Sequence, residues 1–130
     1  MDNLKVGMTE TQEWDVTEKL TTTRGEFKVF STPSMTQLVE STASRLVMPH
    51  LKPGQGQVGV SVSIRHMAPT PLGSKVRAVA ELTAMDRRKL TFKVKVYDEV
   101  EQVGEADHER FVIDLDRYMD RVRNKIRKKR

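Results

Sequence analysis

The chain has 130 residues, which is the size of one domain with a core of its own. It contains no cysteine, so disulfides, thiolate metal sites and a thiol nucleophile are excluded. The net charge of +5 is a property of the terminus: the last ten residues, RVRNKIRKKR, hold seven basic side chains and no acid, leaving 16 basic against 18 acidic residues before them. A nucleic-acid-binding domain carries its basic surface on the folded body, and this chain does not read as one. The basic tail, 121–130, is either a solvated helix end or a grip on a polyanion such as the phosphates of a cofactor. The longest apolar runs, such as Leu46-Val47-Met48, are far too short to span a bilayer, and MDNLKVG lacks the apolar centre of a secretory signal. The expectation is a cytoplasmic protein with no membrane partner.

In chain order, Thr9 to Val16 reads as a strand and Thr21-Thr22-Thr23-Arg24-Gly25 as a loop. Thr32-Pro33 predicts a helix start, with the threonine as cap and proline at the first helical position. Met35, Leu38, Val39, Thr42, Ala43 and Leu46 continue at helical spacing to an end near Pro49. After the turn-rich Lys52-Pro53-Gly54-Gln55-Gly56 the period changes to two. Val58, Val60, Val62 and Ile64 alternate with small or polar residues, as a half-buried strand requires. Three further strands follow: one through Val76 to Leu82, one through Leu90 to Val96, and one over Gly104 to Asp114. Leu115, Met119, Val122 and Ile126 predict an amphipathic C-terminal helix. The order is that of an α+β domain, one long helix packed on an antiparallel sheet. Such a sheet leaves an edge or a face uncovered, which dimerisation commonly covers.

Three polar residues break these patterns. His66 falls by parity on the valine face, at the point where Pro69 and Pro71 end the strand. An imidazole there is either a satisfied core histidine or a general base at a strand end. Glu40 is the only acid between Pro33 and Glu81; it reads as a solvated helical residue or as a carboxylate held at a packed interface. Thr32 reads as a structural cap or as a hydroxyl at a helix N-terminus, where an oxyanion is favoured. Eight residues, about 12 Å of helix, separate Thr32 from Glu40, so an imidazole between them or a second subunit must connect them. His108 and Arg110 alternate with Asp107 and Glu109, as on a solvent-facing edge strand with cross-strand ion pairs. No paired-histidine spacing of a zinc site and no phosphate-binding P-loop is present, and no metal is expected.

The stretch VFST(x)7E(x)8PHLKPGQGQVGVSVSIRHMAPTPLG, from Val29 to Gly73, resembles the fluoroacetyl-CoA thioesterase family of hotdog proteins. So do Glu105 to Ile113, with its His108-Glu109-Arg110 core, and the Arg87-Arg88 turn. The resemblance runs from about Val6 to Asn124. It implies a single hotdog domain, a long central helix wrapped by an antiparallel sheet, working as a homodimer or higher oligomer with sites at the subunit interface. It implies Thr32, Glu40 and His66 as the catalytic set, Gly59 as a backbone donor near the thioester oxygen, and Arg110 beside the substrate. The fluoroacetate-specific enzyme has an aromatic gate a few residues before its threonine, in a longer segment; here Gly25-Glu26-Phe27-Lys28 stand in that region, and Phe27 is the candidate. The implied activity is hydrolysis of a short acyl-CoA to a carboxylic acid and free CoA, with CoA as part of the substrate and no separate cofactor. The alternative is a non-catalytic hotdog module that binds acyl-CoA. Within the enzyme reading, either Thr32 attacks the thioester and forms an acyl-enzyme, or Glu40 or His66 activates water while Thr32 only positions the thioester. The sequence favours water activated by His66 with Glu40, because threonine is a poor nucleophile without a tightly held base.

Overall fold

The computed structural model of the chain describes residues 3–129. The main sheet has five antiparallel strands, β1 (Thr9–Asp15), β4 (Gln55–His66), β5 (Lys75–Asp86), β6 (Lys89–Tyr97) and β7 (Gln102–Asp114), in the order β1-β5-β6-β7-β4. Helix α1 (Thr32–Val47) lies on one face of it. Its Met35, Leu38, Val39, Ala43, Leu46 and Val47 meet the inward side chains of β5, β6 and β7, among them Leu82, Phe92 and Val112, in one buried core. Bulges between Leu82 and Ala84 and between Gly59 and Ser61 curl the sheet around the helix. This is the α+β arrangement expected from the element order, and the hotdog fold that the family resemblance implies. Helix α2 (Leu115–Lys128) leaves from the end of β7 and buries none of its residues. It carries the basic tail, whose last residue, Arg130, lies outside the described residues.

Three readings of the sequence need correction. The stretch at Thr21 is not a loop: β2 (Thr21–Arg24) and β3 (Phe27–Phe30) form a hairpin, turned at Gly25 with φ +60°. Strand β7 is not an edge, because it pairs with β6 on one side and β4 on the other. Its outward Asp107 and Glu109 do form the cross-strand ion pairs foreseen, with Lys93 at 3.1 Å and Lys89 at 3.0 Å. Its His108 and Arg110 point inward and are buried. Finally, the bulge at Val60 breaks the alternation of β4. Val58 pairs with the outward Phe111, whereas Gly59, Val62 and Ile64 pair with the inward Arg110, His108 and Ala106. A parity count carried unbroken through the strand misassigns Val58, and Val60 is the extra residue of the bulge.

The true edges are β1 and β4. On β4, Val60 is 59% and Val62 36% exposed, apolar side chains on a strand with one unpaired side.

Candidate active site

The first part of the site is built where β3 hands over to α1. Ser31, not Thr32, caps the helix: its hydroxyl accepts from the Ser34 amide at 3.2 Å. Thr32 is therefore the first helical residue, and its side chain is released from capping. It forms a 2.8 Å hydrogen bond with His66 Nδ1. The loop after His66 is tied down on two sides. Met67 donates its amide to Val103 (2.7 Å), Phe30 donates to the Thr70 carbonyl (2.8 Å), and the buried Thr70 hydroxyl donates to Asp98 (2.9 Å). Asp98 in turn accepts from the Val100 and Glu101 amides. Close approach of β7 to α1 completes the support: a β-carbon on Gly104, which pairs with His66, would lie 2.4 Å from Met35 Sδ.

His66 is half-buried, and burial lowers its pKa below the ordinary histidine value, partly offset by a backbone hydrogen bond with Ala68. Its imidazole is accordingly neutral at pH 7. Its Nε2 is buried and has no hydrogen-bond partner among the described residues. Beside the pair opens a cavity of about 550 Å³, lined by Phe30, Ser31, Thr32, His66, Met67 and Arg24 among others. Phe27 does not line it. That residue sits next to the hairpin turn, 62% exposed, and the aromatic ring in the cavity wall belongs to the buried Phe30.

The second part lies at the other end of β4. A β-carbon on Gly59 would fall 2.7 Å from Glu40 Oε1, so glycine is the residue that leaves the carboxylate in place. The same position is 3.5 Å from Arg110 Nη1 and 3.6 Å from His108 Cε1. Arg110 is fixed by donating its Nε–H to Gln57 Oε1 at 2.7 Å and an Nη1–H to His108 Nε2 at 3.2 Å. That second bond assigns the remaining ring proton of His108 to Nδ1, which donates to the Ser61 carbonyl at 2.7 Å. Burial, reinforced by the Arg110 charge, lowers the His108 pKa. Burial also lowers that of Arg110, against the pull of the Glu40 carboxylate. The arginine stays charged, since a guanidinium is not deprotonated in proteins, and faces Glu40 across Gly59.

These two clusters do not meet within one chain. Thr32 and Glu40 are about 12 Å apart along α1, and Gly59 and His66 about 20 Å apart along β4. The structure thus brings together Thr32 and His66, and separately Glu40, Gly59 and Arg110. Gln57 and His108 were missed. The signal for His108 was the inward alternation Ala106-His108-Arg110-Val112, which the charges of Asp107 and Glu109 obscured.

The sequence model of the fluoroacetyl-CoA-specific thioesterase family matches residues 11–116, which span both clusters. The chain belongs to this family. It is an acyl-CoA thioesterase of the hotdog fold. A fluoroacetyl-CoA thioesterase from Streptantibioticus cattleyicolor is 38% identical over 98 residues, 75% of this chain and 70% of that protein. A variant of the fluoroacetyl-CoA-specific thioesterase FlK, solved with fluoroacetate and CoA, superimposes with a TM-score of 0.81 at 33% identity, over 88% of this chain and 98% of that one. A thioesterase superfamily member from Thermus thermophilus superimposes at 0.91 over 98% and 97% of the two chains, but at 22% identity it speaks to the fold alone. Among the described residues of this thioesterase, no helix is long and apolar enough to cross a membrane.

Proposed function

We propose that this thioesterase works in the cytoplasm, hydrolysing a short acyl-CoA to a carboxylic acid and free CoA at a site completed by two copies of the chain. The observation that carries the chemistry is the 2.8 Å hydrogen bond between Thr32 and a neutral His66. It supplies the tightly held base that a threonine nucleophile needs. Thr32 Oγ1 attacks the thioester carbonyl as His66 Nδ1 accepts its proton. The C–S bond breaks, and the CoA thiolate takes that proton from the imidazole. Water then attacks the acyl-threonine by the same proton path, releasing the acid. The short acyl group follows from the family, whose Streptantibioticus cattleyicolor member acts on fluoroacetyl-CoA.

Edge strand β4 supports the dimer. Paired antiparallel with its copy about a two-fold axis through Ser63, with Val60 bulged out of the pairing, it covers the exposed Val60 and Val62. In that register Gly59 of one protomer lies opposite the partner's His66. The Glu40–Gly59–Arg110 cluster then joins the Thr32–His66 pair, and Glu40 can accept from the imidazole Nε2, which has no partner among the described residues. Glu40 orients and stabilises the imidazolium, Arg110 holds Glu40, and the Gly59 amide polarises the carbonyl, a donor worth about 3 kcal/mol in the transition state.

The same groups also suit the direct attack of water, with Glu40 near enough to the exposed Gly59 to hold it. The two routes differ in an isolable species: rapid quenching followed by mass spectrometry should find an acyl adduct on Thr32 in the first and none in the second. The activity itself is tested by thiol release from a panel running from acetyl-CoA to aromatic acyl-CoAs. His66→Ala should reduce kcat by about a thousandfold, within the range for loss of a general base. Tight binding of every acyl-CoA with no thiol released from any would leave a binding module instead.

A further inference from the structure

The catalytic clusters account for one face of the sheet and leave an arginine-lined groove on the other. It has a volume of about 630 Å³ and lies between the outer side of β7 and the first turns of α2. Its walls include Arg88, Arg117, Arg121, Phe111 and Tyr118, together with Asp114. Arg88 is committed to Asp114 at 3.2 Å, which cancels the one carboxylate. Arg117 and Arg121 form no ion pair among the described residues, so the groove holds two uncompensated guanidiniums. Both aromatic rings present surface to solvent, Phe111 at 41% and Tyr118 at 45% exposure. Guanidiniums beside aromatic faces match a ligand with a planar base and several phosphates. The apolar stripe of α2, from Leu115 through Met119 to Ile126, points to another side, with Leu115 against Gly56. The groove is therefore a feature of its own and not the flank of that stripe.

Position narrows the ligand. Phe111 pairs with Val58 on β4, immediately beside the Arg110–Gly59 pair that faces Glu40. In the proposed dimer, residues 55–58 of β4 run past the end of the partner's strand, and at this gap a flexible chain can pass from the catalytic face to the outer one. We infer that the groove binds the 3′-phosphoadenosine diphosphate end of CoA, with Arg117 and Arg121 on the phosphates and Phe111 and Tyr118 against adenine. The pantetheine arm threads the gap to the thioester. This inference rests on the thioesterase reading and gives the basic tail a role at its first turns.

The test uses the full chain with Arg117 and Arg121 both changed to Ala, exposed helix positions whose loss leaves the core untouched. KM for the best acyl-CoA should rise tenfold or more with kcat unchanged, and KM for the same acyl group on pantetheine should not move. Calorimetry with adenosine 3′,5′-bisphosphate should show binding that weakens with salt and is lost in the variant. An unchanged KM for acyl-CoA, or an equal rise for the pantetheine thioester, overturns the inference. The two readings fail separately. Nucleotide binding lost in the variant without thiol release from the native protein would keep the groove and sink the thioesterase. Thiol release with no nucleotide binding and an unchanged KM would do the reverse.

Discussion

Gly59→Ala asks whether the position of the Glu40 carboxylate matters to turnover. The new β-carbon would stand 2.7 Å from Oε1, whereas ordinary contact begins at 3.4 Å. The carboxylate must therefore retreat by about 0.7 Å, and a misplacement of that order costs about a hundredfold in a site that depends on it. The fold should tolerate the change. The neighbour is the far end of a flexible side chain, the next atoms are already at 3.5 and 3.6 Å, and alanine in a strand interior recovers about 0.5–1 kcal/mol of backbone entropy. We expect kcat for acyl-CoA hydrolysis to fall by about 10- to 100-fold, with a melting temperature within a few degrees of the native protein. Turnover within twofold of native would refute the role given to Glu40. A loss of activity matched by a large fall in melting temperature would mean that Gly59 serves packing, not the site.

Two further outcomes follow from the same geometry. Burial holds His66 and His108 below the ordinary histidine pKa, so between the folded values and about 6.5 the unfolded chain binds more protons. Stability is therefore full above about pH 6.5 and declines as the pH falls toward the folded values, and a melting temperature that does not fall as the pH is lowered through this range would contradict the burial of these imidazoles. Gly104→Ala would drive a methyl to 2.4 Å from Sδ of the fully buried Met35 and 3.2 Å from the Arg65 carbonyl, where nothing can move away freely. About 1–3 kcal/mol of stability should be lost in denaturant melts, and an unchanged midpoint would show that β7 and α1 are less tightly packed than described.

Much of the fold was legible because its strongest elements obey one period each. Thr32-Pro33 and the spacing of Met35, Leu38, Val39 and Leu46 mark α1, and the alternation in β5 and β6 is unbroken where both strands face the core. The sequence hid what depends on a single local departure. One bulged residue at Val60 reassigns the first half of β4, and no composition signal marks it. The β2–β3 hairpin is four residues a side and mostly polar, too short for a period to show. The cap was misplaced by one residue because adjacent serine and threonine can both serve as caps. Only the fold reveals that Ser31 takes that task and frees Thr32 for His66. His108 and Arg110 looked solvated because charged residues surround them in sequence, while Gln57 and Ser61, which satisfy them, are some 50 residues away. Thr32, Glu40 and His66 were each visible as misfits. Helix length already separated Thr32 from Glu40, but that His66 joins Thr32 and lies away from Glu40 was not legible, since this division follows from the length of β4.

That division makes the site's assembly the claim to test most directly. Protomers carrying His66→Ala and protomers carrying Glu40→Gln should each be nearly inactive alone. Unfolded together and refolded, half of the dimers are mixed, and one of the two sites in each then draws its Thr32–His66 pair and its Glu40 from unmutated positions. Thiol release should recover to about one quarter of the native rate. If each site lay within a single chain, every site in the mixture would be damaged, and recovery no greater than the sum of the two separate variants would contradict the account.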